Sequence, residues 1–160
     1  MNYRSVLEER EDSAVGAAVA DALRTLFADP NDLRSLTNDT HERTIAEIIA
    51  RYLRPHFGQY EINVDYNRMG DEPKEVTWRV DPGAGRDQVF PDIIVHRRFH
   101  NDDNLLAIEL KKDSNRQSKE DDLLKLRAYR TQLHYRHALF IRLGVGKTAG
   151  TVSECEWVRV

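Results

Sequence analysis

Asp92, Glu109 and Lys111 are the residues whose types and spacing could do chemistry together. Asp92 ends the stretch Val89-Phe-Pro-Asp, and the other two stand in Ala107-Ile-Glu-Leu-Lys. Both stretches lie in the strongest apolar runs of the chain, Phe90 to Arg97 and Leu105 to Lys112. Each reads as a strand, with Phe99 to Asn104 as polar hairpin loop between them. Strand side chains alternate, so Glu109 and Lys111 share one face while Leu106, Ile108 and Leu110 share the other. A hairpin folded symmetrically about Asn101 and Asp102 predicts Asp92 opposite Lys111 and diagonal to Glu109, about 7–8 Å away between Cα atoms. A one-residue slip would turn Asp92 to the wrong face, and a β-bulge would change the count.

Two buried carboxylates with only each other would repel, at a cost of several kcal/mol per charge. A divalent cation removes that penalty. Oxygen ligands suit Mg²⁺ or Mn²⁺, whereas one Cys and dispersed His argue against a zinc cage. Lys111 beside such an ion can orient or help deprotonate a water, or stabilise a developing oxyanion. Together these groups describe a phosphodiester-hydrolysing site. The plainer reading is an exposed strand face carrying a surface ion pair. Against it stand the apolar residues on both sides of the charges and Pro91 at a strand start, where its missing N–H is tolerated. Asp92 follows immediately, as a ligand at a strand end would.

The whole chain bounds this reading. Its 160 residues suffice for one domain, residues 1–160, with a core of its own. Hydrophobic residues make up 40% and charged residues 32%, a globular rather than disordered composition. The net charge of −3 is unevenly spread. Met1 to Asp92 holds 11 Lys and Arg against 18 Asp and Glu, while Ile93 to Lys147 holds 12 against 7. A polyanion is therefore expected to meet the second half. The single Cys155 forms no intrachain disulfide, and neither an 18-residue apolar run nor a secretion signal occurs. The expectation is a cytoplasmic protein without a membrane partner.

Other elements must hold the hairpin in place. Val15, Val19, Ala22, Leu23, Leu26 and Phe27 recur at helical spacing, predicting a helix over Ser13–Ala28 that ends at Asp29-Pro30-Asn31. A second helix is expected from near Thr40 to about Arg54, where Pro55 stops it. Tyr60 to Tyr66 alternates as a half-buried strand; Met69 to Pro73 and Asp81 to Asp87 read as loops, with a weaker strand over Val76–Val80 between them. Gln117 to Tyr135 reads as a helix with Leu123, Leu126, Tyr129 and Leu133 inward. Ala138–Leu143 follows as a buried strand and Glu156–Val160 as an edge strand. This order argues an α/β domain: one mixed sheet with helices on its faces.

Pro91-Asp92 followed by Glu109-Leu-Lys111 on the next strand resembles the PD-(D/E)xK nuclease superfamily, which has the restriction-endonuclease-like fold. The resemblance covers roughly residues 39–143, leaving 1–38 as an N-terminal helical extension. The wider pattern VFPDIIVH, NLLAIELKKD and DLLKLRAY resembles small stand-alone bacterial members. The resemblance implies a restriction-endonuclease-like mixed β-sheet flanked by α-helices and Mg²⁺-dependent cleavage of DNA. It implies Asp92 and Glu109 as metal ligands, the Leu110 carbonyl as a further ligand, and Lys111 as the active-site lysine.

Many members also carry a carboxylate on the first core helix. Of Glu42 and Glu47, Glu42 lies about 50° from the apolar stripe and Glu47 about 170° away, so Glu42 is the candidate, acting through water. Asp39-Thr-His-Glu42 also reads as a capping box, and both roles stay open. Lys112, Arg116, Lys119 and Lys125 are candidate phosphate contacts that position without reading sequence. For Lys125 the pattern favours a solvated residue pairing with Asp121 over a phosphate contact.

Gly144-Val-Gly-Lys-Thr148 lacks the earlier glycine of a phosphate-binding loop and reads as a plain loop. His134 and His137 read as the end of a helix, and His96 as a hairpin residue that could approach the site. The apolar stripe Val15, Val19, Leu23, Leu26 could pair two copies, which suits an enzyme that cuts both strands. The sequence thus predicts a metal-dependent nuclease, a DNA endonuclease in the first instance. Its alternatives are a non-catalytic nucleic-acid-binding or assembly module on the same fold, and a subunit silent until an unidentified protein partner docks.

Overall fold

The computed structural model describes residues 2–9, 13–81, 83–100 and 102–160. Asn101, one of the two residues about which a symmetric hairpin is expected to fold, lies outside them.

Four helices come first: α1 (Tyr3–Glu8), α2 (Ser13–Ala28), α3 (Pro30–Thr37) and α4 (Glu42–Leu53). α2 has the bounds that its apolar period predicts. The sequence reading missed α1 and α3, each too short to display a period. Asp29 and Pro30 end α2 and also begin α3. The Asp29 carboxylate accepts from the amides of Asn31 and Asp32, both at 2.9 Å, and Pro30 occupies the first turn. Gly16 lets α1 lie against α2, since a Cβ there would stand 1.9 Å from the Leu7 carbonyl oxygen. α4 starts at Glu42 rather than Thr40, and the expected Asp39–Glu42 capping box does not form. His41 is the cap, its Nδ1 accepting from the Arg43 amide at 3.2 Å. Asp39 adopts φ 52° and turns toward Lys112 and Ser114 instead.

The remaining elements are β1 (Glu61–Val64), β2 (Arg68–Met69), β3 (Glu72–Pro73), β4 (Glu75–Val76), β5 (Asp87–Gln88), β6 (Ile93–His96), β7 (Asn104–Lys112), α5 (Glu120–Gln132), β8 (His137–Leu143) and β9 (Val152–Trp157). One five-stranded mixed sheet runs β1-β6-β7-β8-β9, and β2-β3 and β4-β5 form two-residue ladders in the excursion between β1 and β6. Residues 69–73 are therefore a small hairpin rather than a loop. The strand expected over 76–80 shrinks to its first residue, and the last strand ends at Trp157 instead of Val160. β7 pairs parallel with β8 through α5, and every other ladder is antiparallel. His134 lies beyond α5 at φ 60° and His137 begins β8, so the pair does not cap the helix.

The sheet buries both faces. α1, α2 and α4 cover Ile93, Val95, Leu106, Ile108, Leu110, Leu139 and Ile141 on one side. α5 and the excursion cover Ile94, Ala107, Ala138 and Phe140 on the other. Val15, Val19, Leu23 and Leu26 are all within 3% of complete burial in the first of these clusters, so that stripe has no surface left for a second copy. Among the described residues no helix is long and apolar enough to cross a membrane.

Candidate active site

The β6–β7 register decides whether the acids meet. Arg97 and Asp103 close the hairpin, by an ion pair at 2.9 Å and by the Arg97 amide donating to the Asp103 carbonyl. A bulge follows between Val95 and His96, after which Ile93 pairs with Ile108. This places Asp92 across from Glu109, where the symmetric hairpin predicts Lys111. The correction shifts the pairing by two residues. An even shift preserves the face, so the convergence survives although its geometry changes.

Both carboxylates lie on the α5 side of the sheet, at the floor of a cavity of about 450 Å³. Asp92 Oδ2 accepts from the Leu110 amide at 2.7 Å, and the Asp92 and Glu109 carboxyls hydrogen-bond each other. Burial pushes Asp92 up to about 6, against the lowering effect of those bonds. Glu109 is 6% exposed; burial first, and then the Asp92 charge, drive its acid well above the usual carboxylate range.

Two residues of α5 complete the floor. Tyr129, 1% exposed, donates its phenol to Glu109 Oε1 at 2.8 Å, and burial beside that acid holds the phenol protonated. Asp122, 7% exposed, accepts from Lys111 Nζ at 2.5 Å. The sequence reading gave neither a role in the site. The signal was present, since Asp122 falls on the helix stripe of Leu126, Tyr129 and Leu133, and a carboxylate on such a stripe needs a partner.

Glu42 stands on the cavity wall, its Oε1 3.4 Å from the Lys112 amide, while Glu47 is exposed and pairs with Arg43. Lys125 lines the same cavity with its ammonium 5.0 Å from the Trp78 ring centre, rather than on Asp121. Trp78 comes from the excursion, just beyond the point where the expected strand over 76–80 breaks off. Lys112 pairs with Asp39 at 2.9 Å, and Lys119 with Glu154 and Glu156 at 2.8 and 2.9 Å. Arg116 is exposed. His96 is buried away from the cavity, with Nε2 2.7 Å from Asn63 Oδ1 and its ring against Tyr66. Gly144 to Thr148 folds over Asp113, which accepts from the Val145 amide and the Thr148 hydroxyl; Gly146–Thr148 forms a single 3-10 turn, and β9 rather than an α-helix follows.

Among the described residues no three His, Cys, Asp or Glu side chains converge as a ready metal cage. The carboxyl groups at the floor are those of Asp92 and Glu109, and Leu110 lines the same cavity. Two adjacent carboxyl groups in a polar cavity fit a hard divalent cation that keeps part of its shell as water. Searches of family models, curated proteins and solved structures find no match to the chain.

Proposed function

We propose that the chain is a metal-dependent nuclease of the PD-(D/E)xK type, hydrolysing phosphodiester bonds, with DNA as the first substrate to test. The observation that carries this reading is the meeting of a buried carboxyl, Glu109, and a half-buried one, Asp92, with the Lys111 ammonium at the floor of a polar cavity. Five mixed strands with helices on both faces, and a hairpin holding the acids, are compatible with the restriction-endonuclease-like architecture.

Asp92, Glu109 and the Leu110 carbonyl would hold Mg²⁺ or Mn²⁺. A bound divalent ion supplies positive charge against the phosphate oxygens and makes water more acidic. The chain's own groups do the rest. The Leu110 amide fixes one oxygen of Asp92, and the Tyr129 phenol fixes one of Glu109, so neither acid must reorganise during reaction. Lys111 offers its ammonium to the negative charge that grows on phosphate, with Asp122 holding it in place. Asp122 and Tyr129 are positioning residues in this scheme. Glu42 faces the cavity from the far wall, where it can accept from a water.

The test is hydrolysis of plasmid and single-stranded DNA with Mg²⁺ or Mn²⁺, comparing wild type with Asp92→Ala and Lys111→Ala. Loss of cleavage in both variants, with folding retained, supports the reading. DNA binding without cleavage under either ion favours a binding module. Neither activity, with a stable heteromeric partner, favours a dependent subunit.

A further inference from the structure

We infer that the site takes an unpaired strand, with one base stacked on Phe90. The inference rests on the nuclease reading and names its substrate class. Phe90 stands two residues before Asp92, is 55% exposed, and lines the cavity above the acids. Among the described residues its ring enters no aromatic or cation–ring contact. Pro91 restricts the backbone on both sides of that step, so the ring and the carboxylate are held in fixed relation. A large apolar side chain left in water beside a polar floor calls for a ligand that is flat on one side and charged on the other. A nucleotide has that form.

The shape of the surroundings supports a strand. The site cavity shares Gln88 and Phe90 with a second cavity of about 430 Å³, which runs past Tyr66, Asn67 and Arg68. In the other direction it shares Lys111, Asp122 and Lys125 with a third of about 400 Å³, which reaches Gln117 and Ser118. The result is a trough with the acids midway along it and Phe90 on the ridge between two of its parts. A chain can lie through it and be cut internally. The cations Arg68, Arg79 and Lys125 sit along this path, two of them against the Trp78 ring.

Depth separates single strands from duplex. Glu109 is 6% exposed, so a phosphate must enter the trough to approach it. An intact duplex keeps its bases stacked on one another and offers none to Phe90. Stacking on an aromatic side chain is tolerant of base identity and is typical of sites that bind single strands.

The test is binding of a phosphorothioate-linked oligothymidylate and of a hairpin duplex of equal length, with Mg²⁺ present, by wild type, Phe90→Ala, Phe90→Leu and Phe90→Tyr. Quenching of Trp78 on the cavity wall reports occupancy, and Trp157, at 8% exposure, gives a nearly constant background. Melting curves check folding, which an exposed ring should scarcely affect. The expected result is a preference for the single strand. Phe90→Ala and Phe90→Leu should weaken its binding roughly 5- to 100-fold and Phe90→Tyr restore it. Leu failing while Tyr succeeds separates stacking from an apolar wedge driven into a duplex. Equal binding by Phe90→Ala, or a duplex held as tightly as the single strand, overturns the inference and leaves the nuclease reading intact if cleavage persists. Phe90-dependent binding of single strands without hydrolysis of any substrate removes the nuclease reading alone.

Discussion

Along β7, Leu106, Ile108 and Leu110 point to one side and Ala107, Glu109 and Lys111 to the other, and helices cover both. On the first side these side chains join one apolar cluster, and burial stabilises each in proportion to the area it hides. On the second side burial works against Glu109 and, to a lesser depth, against half-buried Asp92, and both acids are pushed upward. One strand thus carries the fold's cohesion on one face and its stored electrostatic strain on the other. The difference teaches that burial alone does not identify a structural residue; the sign of its contribution does.

The comparison breaks most sharply at Asp92. Asp92→Asn is expected to reduce hydrolysis by about 10³-fold or more, since it removes a charged ligand while keeping the side chain's shape. The same change should leave the metal-free protein as stable as wild type near neutral pH or more so, because a buried charge is gone. Cleavage rates and thermal melts read the two effects separately. Ile108→Ala tests the opposite face. It should cost about 2–5 kcal/mol of stability, seen as a lowered denaturation midpoint, while hydrolysis per folded molecule stays close to wild type.

Acid sharpens the contrast. Burial first, then the Lys74 and Arg98 charges, hold His96 down at about 4, below its ordinary 6.5, with Asn63 and Tyr66 also facing the ring. Its lowered value means that the unfolded chain takes up the proton first. The His96 contribution to stability is therefore full above about pH 6.5 and is lost as pH falls toward 4, by on the order of 2–3 kcal/mol, while protonation of Asp92 and Glu109 works in the opposite direction over that range. His96→Gln should remove the first part alone, read as the difference between variant and wild-type denaturation curves across this range. The smallest effect is expected from Tyr129→Phe, which removes only the phenol hydroxyl donating to Glu109. It should cost about 1–2 kcal/mol of stability and lower hydrolysis roughly tenfold, by loosening Glu109 rather than removing it. A variant with unchanged melting and unchanged rate would show that Glu109 needs no such support.

The sequence made the apolar face easy to read. Ile93, Val95, Leu106, Ile108 and Leu110 alternate plainly, and α2 came out at its observed bounds because its stripe is long. Asp92, Glu109 and Lys111 were legible as a trio because charges interrupt the best strands. Their exact pairing was not, since a bulge and an Arg97–Asp103 closure set the register and neither has a periodic signature. Asp122 and Tyr129 escaped for another reason. Their roles depend on which sheet residues α5 lies over, and a parallel crossover fixes that only in three dimensions. Phe90 and Trp78 read as strand residues, in Phe90–Arg97 and Val76–Val80, but β6 begins only at Ile93 and β4 ends at Val76, so both lie in irregular chain between β1 and β6.

α5 grips the site at two heights. Asp122 is the third residue of α5 and Tyr129 the fourth from its end, so the helix holds Lys111 at its first turn and Glu109 at its last. Seven residues separate the two grips, about 10 Å along the helix axis. One rod therefore sets the spacing between the ammonium and the acid, and a tilt or slide of α5 would carry both together.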